Sequence, residues 1–568
     1  MTSSVWLIVL AVVIPLIALG FCYYMLVYFQ HPDDRNTAYF PKAVVVFGLL
    51  IAVCTVLLIP FDVANQGGAF GCDTFGNVLC GGLQLKLVWE IAFLIIGVLV
   101  LVVVPFTIFF YESFDHENDS TCKACSSALI YQLVISGLFV GIYVVCYVFL
   151  RYSSLPVTDI QAPLSSFQDC PSSAGATCSG ITWSTATTPS SNSDELIKIP
   201  LPFLVFLPAF LGFLGWWLFA LYLGIGLVAL PIDLIRAFVY RPKYIPRDLY
   251  AHTKLEIQKK TVELLKIGEQ LRAEAKEQAM KGKAESFVAK VDLRNFKRNR
   301  NGKVLFNEFK QNVLEVEEDY NDLKFCHENW KFYNPLIPWF KLACGILGAI
   351  ISLLWLLHII LYNLARTPYG PDGIPTSYFL NTMFSAASKE INFALIGTLL
   401  VAIFVFWLLF CVIKGNEKFG LRFFLVEIHP MKFGGTYMNS FLVNTSLILF
   451  CIAPLVQFSA SALQEYIVLT DVDAIFGQQV TFVTFFHFFF ANNVFIIMML
   501  GFGFITFIAM VCCPRDKRIN QSKSLARKVE IFQQQMEDAK RCEVQDQAPN
   551  SGVSLNEEAA QPSSMAHV

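Results

Sequence analysis

Six ionisable residues lie within or beside long apolar segments of this chain. A charged side chain at the middle of a membrane-spanning helix costs roughly 2.5–3.5 kcal/mol, so each needs a partner or a purpose. Carboxylates and imidazoles in such places can carry protons, bind a polar solute or pair with other side chains. The candidate intramembrane or interfacial polar site consists of Asp62, Glu90, Asp233, His358, Glu427 and His429.

Three of these residues could line a polar path. Asp62 ends the second apolar segment and Glu90 lies early in the third, so both are expected near the same membrane surface. His358 lies deepest, in the sixth segment. A single histidine inside a helical bundle is more often a hydrogen-bonded packing residue than a proton carrier, and both interpretations stay open.

The other three residues lie near the opposite surface. Asp233 and Arg236 flank the end of the fifth segment and are expected to pair with each other. Glu427 and His429 belong to a loop that also carries Lys432, and they are expected to form an interfacial turn.

The sequence contains no recognisable catalytic arrangement. It lacks a P-loop, an HExxH motif and a GxGxxG motif, and no set of nucleophile, base and oxyanion donors is evident. Residues 297–308 resemble a calcium-binding EF loop at Asn299, Asn301 and Glu308, but Lys297 occupies the first ligand position. We therefore expect no enzyme activity, no bound metal and no cofactor.

Two close cysteine pairs lie in loops between apolar segments. Cys72 is followed by Cys80, and Cys170 by Cys178. Short spacings of this kind are typical of disulfides in an oxidising compartment. The two pairs are candidate disulfides, with unpaired thiols as the alternative.

The elements that must position these residues are membrane-spanning helices. The chain is 55% hydrophobic and only 15% charged, and its mean hydropathy is +0.55. Nine segments reach the roughly 20 apolar residues that a helix needs to span a bilayer. They are 5–29, 43–61, 87–110, 128–150, 199–235, 342–362, 391–413, 438–458 and 492–513. The sequence thus predicts an all-α, polytopic membrane protein.

The distribution of basic residues predicts the orientation. Loops 62–85 and 459–491 contain no Lys or Arg, whereas 236–341, 414–432 and 515–541 are rich in both. Basic loops stay in the cytosol. The N-terminus is therefore expected outside or in a lumen, and the C-terminus in the cytosol.

The main soluble insertion carries two helical patterns. The first, with Ile257, Leu264 and Leu271, has a weak apolar seam. The second keeps a strict three-four spacing, typical of coiled coils, at Phe306, Phe309, Val313, Val316, Tyr320 and Leu323. We expect a cytosolic helical hairpin that binds partners, with a helix pair lying on the membrane surface as the alternative.

These patterns divide the chain into four parts. A five-span bundle occupies 1–235, the helical insertion 236–341, a four-span bundle 342–513, and a polar tail 514–568. One short helix is expected in the tail, near 525–536. The loop 151–198 is rich in Ser, Thr and Pro and is expected to be largely irregular and tied by its cysteines.

Several long motifs, in order along the chain, carry a resemblance to a known family. They include YFQHPDD at 28–34, AYFPK at 38–42, PFDVAN at 60–65, PFTIFFYE at 105–112, LPIDLIRAFVYRPK at 230–243 and IHPMKFGGTYMNSFLVN at 428–444. With these motifs the chain resembles the limb-region-like, or LIMR, membrane proteins, especially the plant-type branch.

The resemblance implies a class of function without catalytic residues. The family is thought to include receptors for secreted lipocalin-type carriers and a lysosomal escort of the transporter that exports cobalamin. It implies a receptor or escort with membrane lipids, cytosolic or membrane proteins and a secreted carrier as partners, and no nucleic acid. The alternative is a transporter, or transport accessory, for a small molecule or lipid. The plasma membrane and an endomembrane such as the lysosome or vacuole are both compatible with it.

Overall fold

The computed structural model describes most of the apolar part of the chain. It covers residues 5–35, 37–66, 83–113, 121–157, 195–239, 241, 245–284, 336–367, 374–390, 394–423, 426–429, 431 and 433–512, with separate residues between 313 and 334.

Helices dominate the described residues, and nine of them are long and apolar enough to span a membrane. The helices in chain order are α1 (Val5–Phe29), α2 (Tyr39–Gln66), α3 (Leu85–Ser113), α4 (Thr121–Leu150), α5 (Phe203–Val239), α6 (Arg247–Ala284), α7 (Leu336–Leu364), α8 (Phe379–Glu390), α9 (Ala394–Phe419), α10 (Met438–Ala462), α11 (Gln464–Ile467), α12 (Thr484–Ala491) and α13 (Val494–Cys512). The spanning helices are α1 to α5, α7, α9, α10 and α13. The predicted all-α polytopic fold is confirmed.

The long fifth segment forms one continuous helix. The 37 residues of α5 include Pro208 and Pro231, and neither ends the helix. Gly215 and Gly226 lie so close to neighbouring backbones that a Cβ would collide with the carbonyl oxygens of Phe450 in α10 and Cys411 in α9. Small residues allow helices to pack this tightly in membranes. Because α5 makes both contacts, it lies at the centre of the bundle.

The spanning helices on the two sides of the insertion pack into one body. Helix α2 contacts α1, α9 and α10, and α5 contacts α9 and α10. Residues 1–236 and 341–513 accordingly form one compact unit. Residues 237–340 and 514–568 form the second.

Short antiparallel strand pairs cap the bundle. Strand β1 (Tyr152–Val157) pairs with β2 (Glu195–Pro200), β3 (Arg366–Thr367) with β4 (Ile374–Pro375), and β5 (Leu421–Phe423) with β6 (Val426–His429). The two ends of loop 151–198, which was expected to be largely irregular, pair through their backbones as β1 and β2. Residues 158–194 lie outside the described residues, and the fifth spanning helix begins at Phe203.

Different elements lie at the two ends of the bundle. We call one the strand-pair end; it contains β1, β2 and residues 463–483, including a π-helix at Asp473–Val480. The insertion end contains the ends of α1, α5 and α9, the start of α10, and the point where residue 236 leads into the insertion.

Within the second unit, α6 lies beside residues 313–327. Ile245, Leu249, Ile257, Leu323 and Cys326 form a small buried core. The stacked rings of Tyr250 and His327 are 4.3 Å apart. Residues 261–269 instead line a cleft with Val313 and Val316. The two stretches therefore run in opposite directions.

Candidate functional site

The buried side chain of Asp62 connects three segments of the chain at the strand-pair end. Its Oδ2 accepts hydrogen bonds from the backbone N–H of Val472 at 2.8 Å and from Trp89 Nε1 at 3.1 Å. Asp62 thus joins α2 to α3 and to the segment that follows α10.

Glu90 lies at the same end but has a different environment. It follows Trp89 in α3 and is half-buried. Consecutive residues of a helix point about 100° apart, because one turn holds 3.6 residues. Trp89 faces Asp62, and Glu90 takes no part in the Asp62 hydrogen bonds.

His358 is fully buried in α7. Its Nε2 lies 2.8 Å from the carbonyl oxygen of Ala462, and Asn381 Nδ2 lies 3.4 Å from the same oxygen. A carbonyl only accepts, so Nε2 of His358 carries the proton. The last carbonyls of a helix lack partners within it. His358 therefore caps α10 and links it to α7.

Buried acceptor atoms without hydrogen-bond partners are concentrated near this end. Buried polar atoms are nearly always paired, so each such atom can attract a proton, a water molecule or a cation. Among the described residues, they include Asp62 Oδ1, His358 Nδ1, Asn363 Oδ1, Asn381 Oδ1 and Asp473 Oδ1.

Asp473 lies outside the spanning helices, at the start of the π-helix. Its Oδ2 has one long contact, 3.5 Å from Gln478 Nε2. Burial disfavours the charged form and raises the pKa of the Asp473 carboxyl above its ordinary value. Asp473 is therefore a buried carboxyl group with a raised pKa that the sequence analysis missed.

At the insertion end, Asp34 joins three distant parts of the chain. Its Oδ1 accepts a hydrogen bond from Tyr111 Oη at 3.0 Å, and its Oδ2 accepts one from the backbone N–H of Met438 at 2.9 Å. Lys42 Nζ donates to the carbonyl oxygens of Asp34 and Arg35. One buried carboxylate thus fixes the start of α10 against α3 and the segment after α1.

The motifs that carried the family resemblance meet around Asp34. The backbone N–H groups of Gly434 and Thr436 donate to the carbonyls of Tyr28 and Phe29 at 3.1 Å each. Asn439 Nδ2 donates to Glu112 Oε1 at 2.7 Å. Motifs 28–34, 105–112 and 428–444 therefore form a single junction.

Asp233 belongs to an ion-pair network with α9. Its Oδ2 lies 3.0 Å from Lys414 Nζ and 2.9 Å from Lys418 Nζ, and Lys414 also pairs with Glu417 at 2.9 Å. The predicted pairing of Asp233 with Arg236 is wrong. Arg236 Nη2 instead donates to the carbonyl of Met510 at 2.6 Å, because tertiary partners from α9 and α13 compete with the sequence neighbour.

His429 lies at the same junction. Its Nδ1 is 3.3 Å from Ser440 Oγ, and its carbonyl accepts a hydrogen bond from Asn444 Nδ2 at 3.2 Å. The backbone of Glu427 lies in β6, where it pairs with Arg422. The side chain of Glu427 and the whole of Lys432 fall outside the described residues.

The insertion carries an apolar cleft between α6 and residues 313–316. Its volume is about 530 Å³. Leu265 is 60% exposed and Val313 39% exposed, so the cleft is open to solvent. It is lined by Thr261, Leu264, Leu265, Gly268, Glu269, Val313 and Val316. Of the other predicted seam residues, Leu323 is buried and Tyr320 is exposed.

The remaining candidate residues are not described. Phe306, Phe309 and the candidate disulfide cysteines Cys72, Cys80, Cys170 and Cys178 lie outside the described residues. Within the described part of the chain, no group of three or more His, Cys, Asp or Glu side chains could hold a metal ion.

Comparisons with known proteins place this architecture in a family. A family model described as "LMBR1-like membrane protein" matches residues 6–316 and 303–508. A LIMR family protein of Dictyostelium discoideum is 31% identical over 545 residues, which cover 90% of this chain and 98% of the relative. No solved structure matches.

Plant relatives are equally similar. A LIMR family protein of Arabidopsis thaliana is 33% identical over 524 residues, covering 89% of this chain and 96% of the relative. One of Oryza sativa subsp. japonica is 33% identical over 491 residues, covering 84% and 89%. The chain belongs to the LIMR family of LMBR1-like membrane proteins.

Proposed function

We propose that this LIMR family protein is a multi-pass membrane receptor or escort. Its outside loops bind a ligand or a secreted carrier, and its cytosolic insertion binds trafficking or signalling proteins. The bundle contacts membrane lipids and performs no catalysis. The proposed location is the plasma membrane or an endomembrane, with the N-terminus outside or in the lumen.

The open cleft on the insertion is the observation that carries this proposal. Leu265 and Val313 expose apolar surface next to a small buried core. Exposed apolar surface between two helices is a typical docking site for an amphipathic helix of a partner. The insertion therefore has the chemistry of a recruitment surface.

The buried polar groups of the bundle support the same interpretation. Asp62, His358 and Asp34 each join helices that are distant in sequence. A rigid, internally cross-linked bundle suits a protein that holds two binding surfaces on opposite sides of a membrane.

Affinity isolation from native membranes tests the recruitment surface. We compare the parent with a Leu265→Asp, Val313→Asp variant, whose charges would enter the cleft. Both positions are exposed, so the change costs little folding energy. Burying an unpaired charge in a docked interface costs more than about 1.4 kcal/mol, which lowers partner recovery at least about tenfold.

The matched control is Leu255→Asp, Val262→Asp. Both residues are exposed on α6, and neither lines the cleft. The control is expected to keep the co-purifying proteins of the parent. Full partner recovery by the cleft variant would show that the cleft is not the recruitment surface.

A second candidate function is transport, or assistance to transport, of a cobalamin-like small molecule or a lipid. The unpartnered acceptors near Asp62, His358 and Asp473 favour it, because polar solutes could bind there. Reconstituted vesicles containing the parent, Glu90→Gln or His358→Leu distinguish the cases. Solute or lipid movement that is lost in a well-folded variant would support transport, and no movement by the parent would count against it.

A further inference from the structure

A strained turn presents an apolar side chain at the strand-pair end. Leu469 lies between α11 and the π-helix at Asp473–Val480, outside the spanning helices. Its backbone has a φ of 68°, in the left-handed region that glycine and asparagine favour and that a bulky residue rarely adopts. Its side chain is 76% exposed, the largest fraction among the large apolar residues that the structure describes. The turn therefore holds a leucine where a smaller residue would fit with less strain.

The residues around Leu469 fix this turn. Thr470 Oγ1 donates a hydrogen bond to the carbonyl of Ile467 at 2.6 Å and accepts one from the backbone N–H of Asp473 at 3.3 Å. The backbone N–H of Val472 donates to buried Asp62 at 2.8 Å. Ile467, Thr470 and Val472 are buried as well. The turn is thus ordered before a partner arrives, and binding through it would cost little conformational freedom.

The strain in this turn is not offset by packing of the leucine. Strained residues persist only where the surrounding structure over-determines them, and they cluster at ligand clamps and other functional sites. A buried leucine could compensate for its backbone by apolar contacts, but Leu469 is exposed. Single exposed apolar side chains are ordinary on protein surfaces, and the left-handed backbone distinguishes this one. A contact outside the chain would explain why leucine occupies the position.

The charges beside Leu469 indicate the kind of partner. Val468 adds a second exposed apolar side chain, and the ionisable neighbours Glu465 and Asp471 are both acidic. Segment 459–491 contains no Lys or Arg. Anionic lipid headgroups would be repelled by the carboxylates, whereas a protein pocket with an apolar floor and a rim of Lys or Arg would complement both features. The chemistry therefore favours a protein over a membrane surface.

We propose that Val468 and Leu469 form an anchor through which a protein with a basic-rimmed apolar pocket binds the strand-pair end. This partner is the outside or lumenal ligand of the receptor, an assignment that rests on the proposed function. The strained turn presents the anchor, and the acidic neighbours orient the partner.

Thermal unfolding of the full-length protein in detergent distinguishes an anchor from a packing residue. Leu469→Asn removes the apolar side chain and puts a residue that tolerates the left-handed region in its place. The variant should therefore unfold at the temperature of the parent or above it. A lower unfolding temperature would show that Leu469 stabilises the fold, and would overturn the proposal.

Photo-crosslinking in native membranes identifies what the anchor touches. A photoreactive amino acid replaces Leu469 or, as a control, Ile197, which is 48% exposed in β2. Position 469 is expected to form an adduct with one protein, and position 197 is not. Adducts of position 469 with lipid or with its own chain, no protein adduct, or equal adducts at both positions would overturn the proposal.

Recovery of the cross-linked protein by the variants tests the chemistry of the pocket. Leu469→Asn should lower recovery about tenfold or more, because the pocket loses a buried leucine, and Ile197→Asn should keep it. Glu465→Lys should also lower recovery, because it places a cation against a basic rim. Unchanged or higher recovery by Glu465→Lys would contradict the basic rim.

The same measurements separate this proposal from the proposed function. An outside ligand that binds the parent and Leu469→Asn equally would refute the anchor and leave the receptor function standing. Ligand binding that depends on Leu469, in a protein whose cytosolic partners ignore Leu265→Asp, Val313→Asp, would keep the anchor and refute the recruitment surface.

Discussion

At the scale of single residues, the buried carboxylates of this protein act as cross-links. Asp62 gathers a backbone N–H and an indole N–H onto one oxygen, whereas Asp34 accepts a hydrogen bond from a phenol on one oxygen and from a backbone N–H on the other. Each bond spans tens to hundreds of residues along the chain. Such groups hold loops against helices where apolar packing alone would not fix their register.

Replacing Asp62 tests this role. In Asp62→Leu, the N–H groups of Val472 and Trp89 lose their acceptor while staying buried, which should cost about 2–4 kcal/mol of folding stability. Asp62→Asn keeps an acceptor oxygen and should cost less. Thermal unfolding in detergent measures both, with half-buried Glu90→Gln as a near-neutral control. Equal stability of Asp62→Leu and the parent would refute the cross-link.

Asp473 predicts a pH dependence. Its folded-state pKa is raised, so the folded protein binds the proton more tightly than the unfolded chain does. The stabilising contribution of the proton is present below the ordinary pKa and is lost as the pH rises through the raised value. Asp473→Asn should therefore be more stable than the parent at neutral pH, and the difference should vanish in acid. A difference in stability that is independent of pH would contradict this.

At the scale of elements, α5 organises the bundle. Its glycines allow the backbones of α9 and α10 to approach, and Trp216 Nε1 donates to Gln457 Oε1 at 2.7 Å in the interior. In the same interface, about one turn away, Gly415 of α9 lies against the carbonyl of Tyr222 in α5. Each helix therefore places a glycine against the backbone of the other.

This contact predicts a strong effect of one added methyl group. Gly226→Ala places Cβ against the Cys411 carbonyl, a backbone atom that cannot rotate away. Overpacking of this kind costs roughly 1–3 kcal/mol or more. Gly137→Ala in α4 is the control, because nothing lies within 4 Å of its Cβ position. Yield of folded protein by size-exclusion chromatography should fall only for Gly226→Ala.

At the scale of the whole molecule, the spanning helices followed directly from sequence. Length and apolar content predict a span because a bilayer leaves the backbone no partner except itself. The segment predicted at 199–235 contains one continuous helix from Phe203, and Pro208 and Pro231 lie inside it. The observed ends of the spanning helices differ from the predicted ends by several residues, at places where strands or extra polar turns flank the helices.

The partners of the polar residues could not be predicted in the same way. Asp34 was visible in a motif, yet its bond to the Met438 backbone joins positions separated by 404 residues. Asp233 has a basic neighbour one turn away in Arg236, but the fold supplies Lys414 and Lys418. Sequence spacing predicts contacts within one helix. The partners of Asp233 depend instead on how α5 packs against α9.

The account depends most directly on the insertion facing the cytosol. Cysteines introduced at Leu265, in the cleft, and at Leu469, which is 76% exposed at the strand-pair end, report the two sides. A membrane-impermeant thiol reagent is added to intact cells, to cells with only the plasma membrane permeabilised, and after full solubilisation, always against the parent background. The account predicts that Leu265→Cys gains label once the plasma membrane is permeabilised. Leu469→Cys should already be labelled in intact cells if the protein lies in the plasma membrane, and should gain label only after full solubilisation if it lies in an endomembrane. Label on Leu265→Cys in intact cells, or its protection until internal membranes are dissolved, would contradict the account.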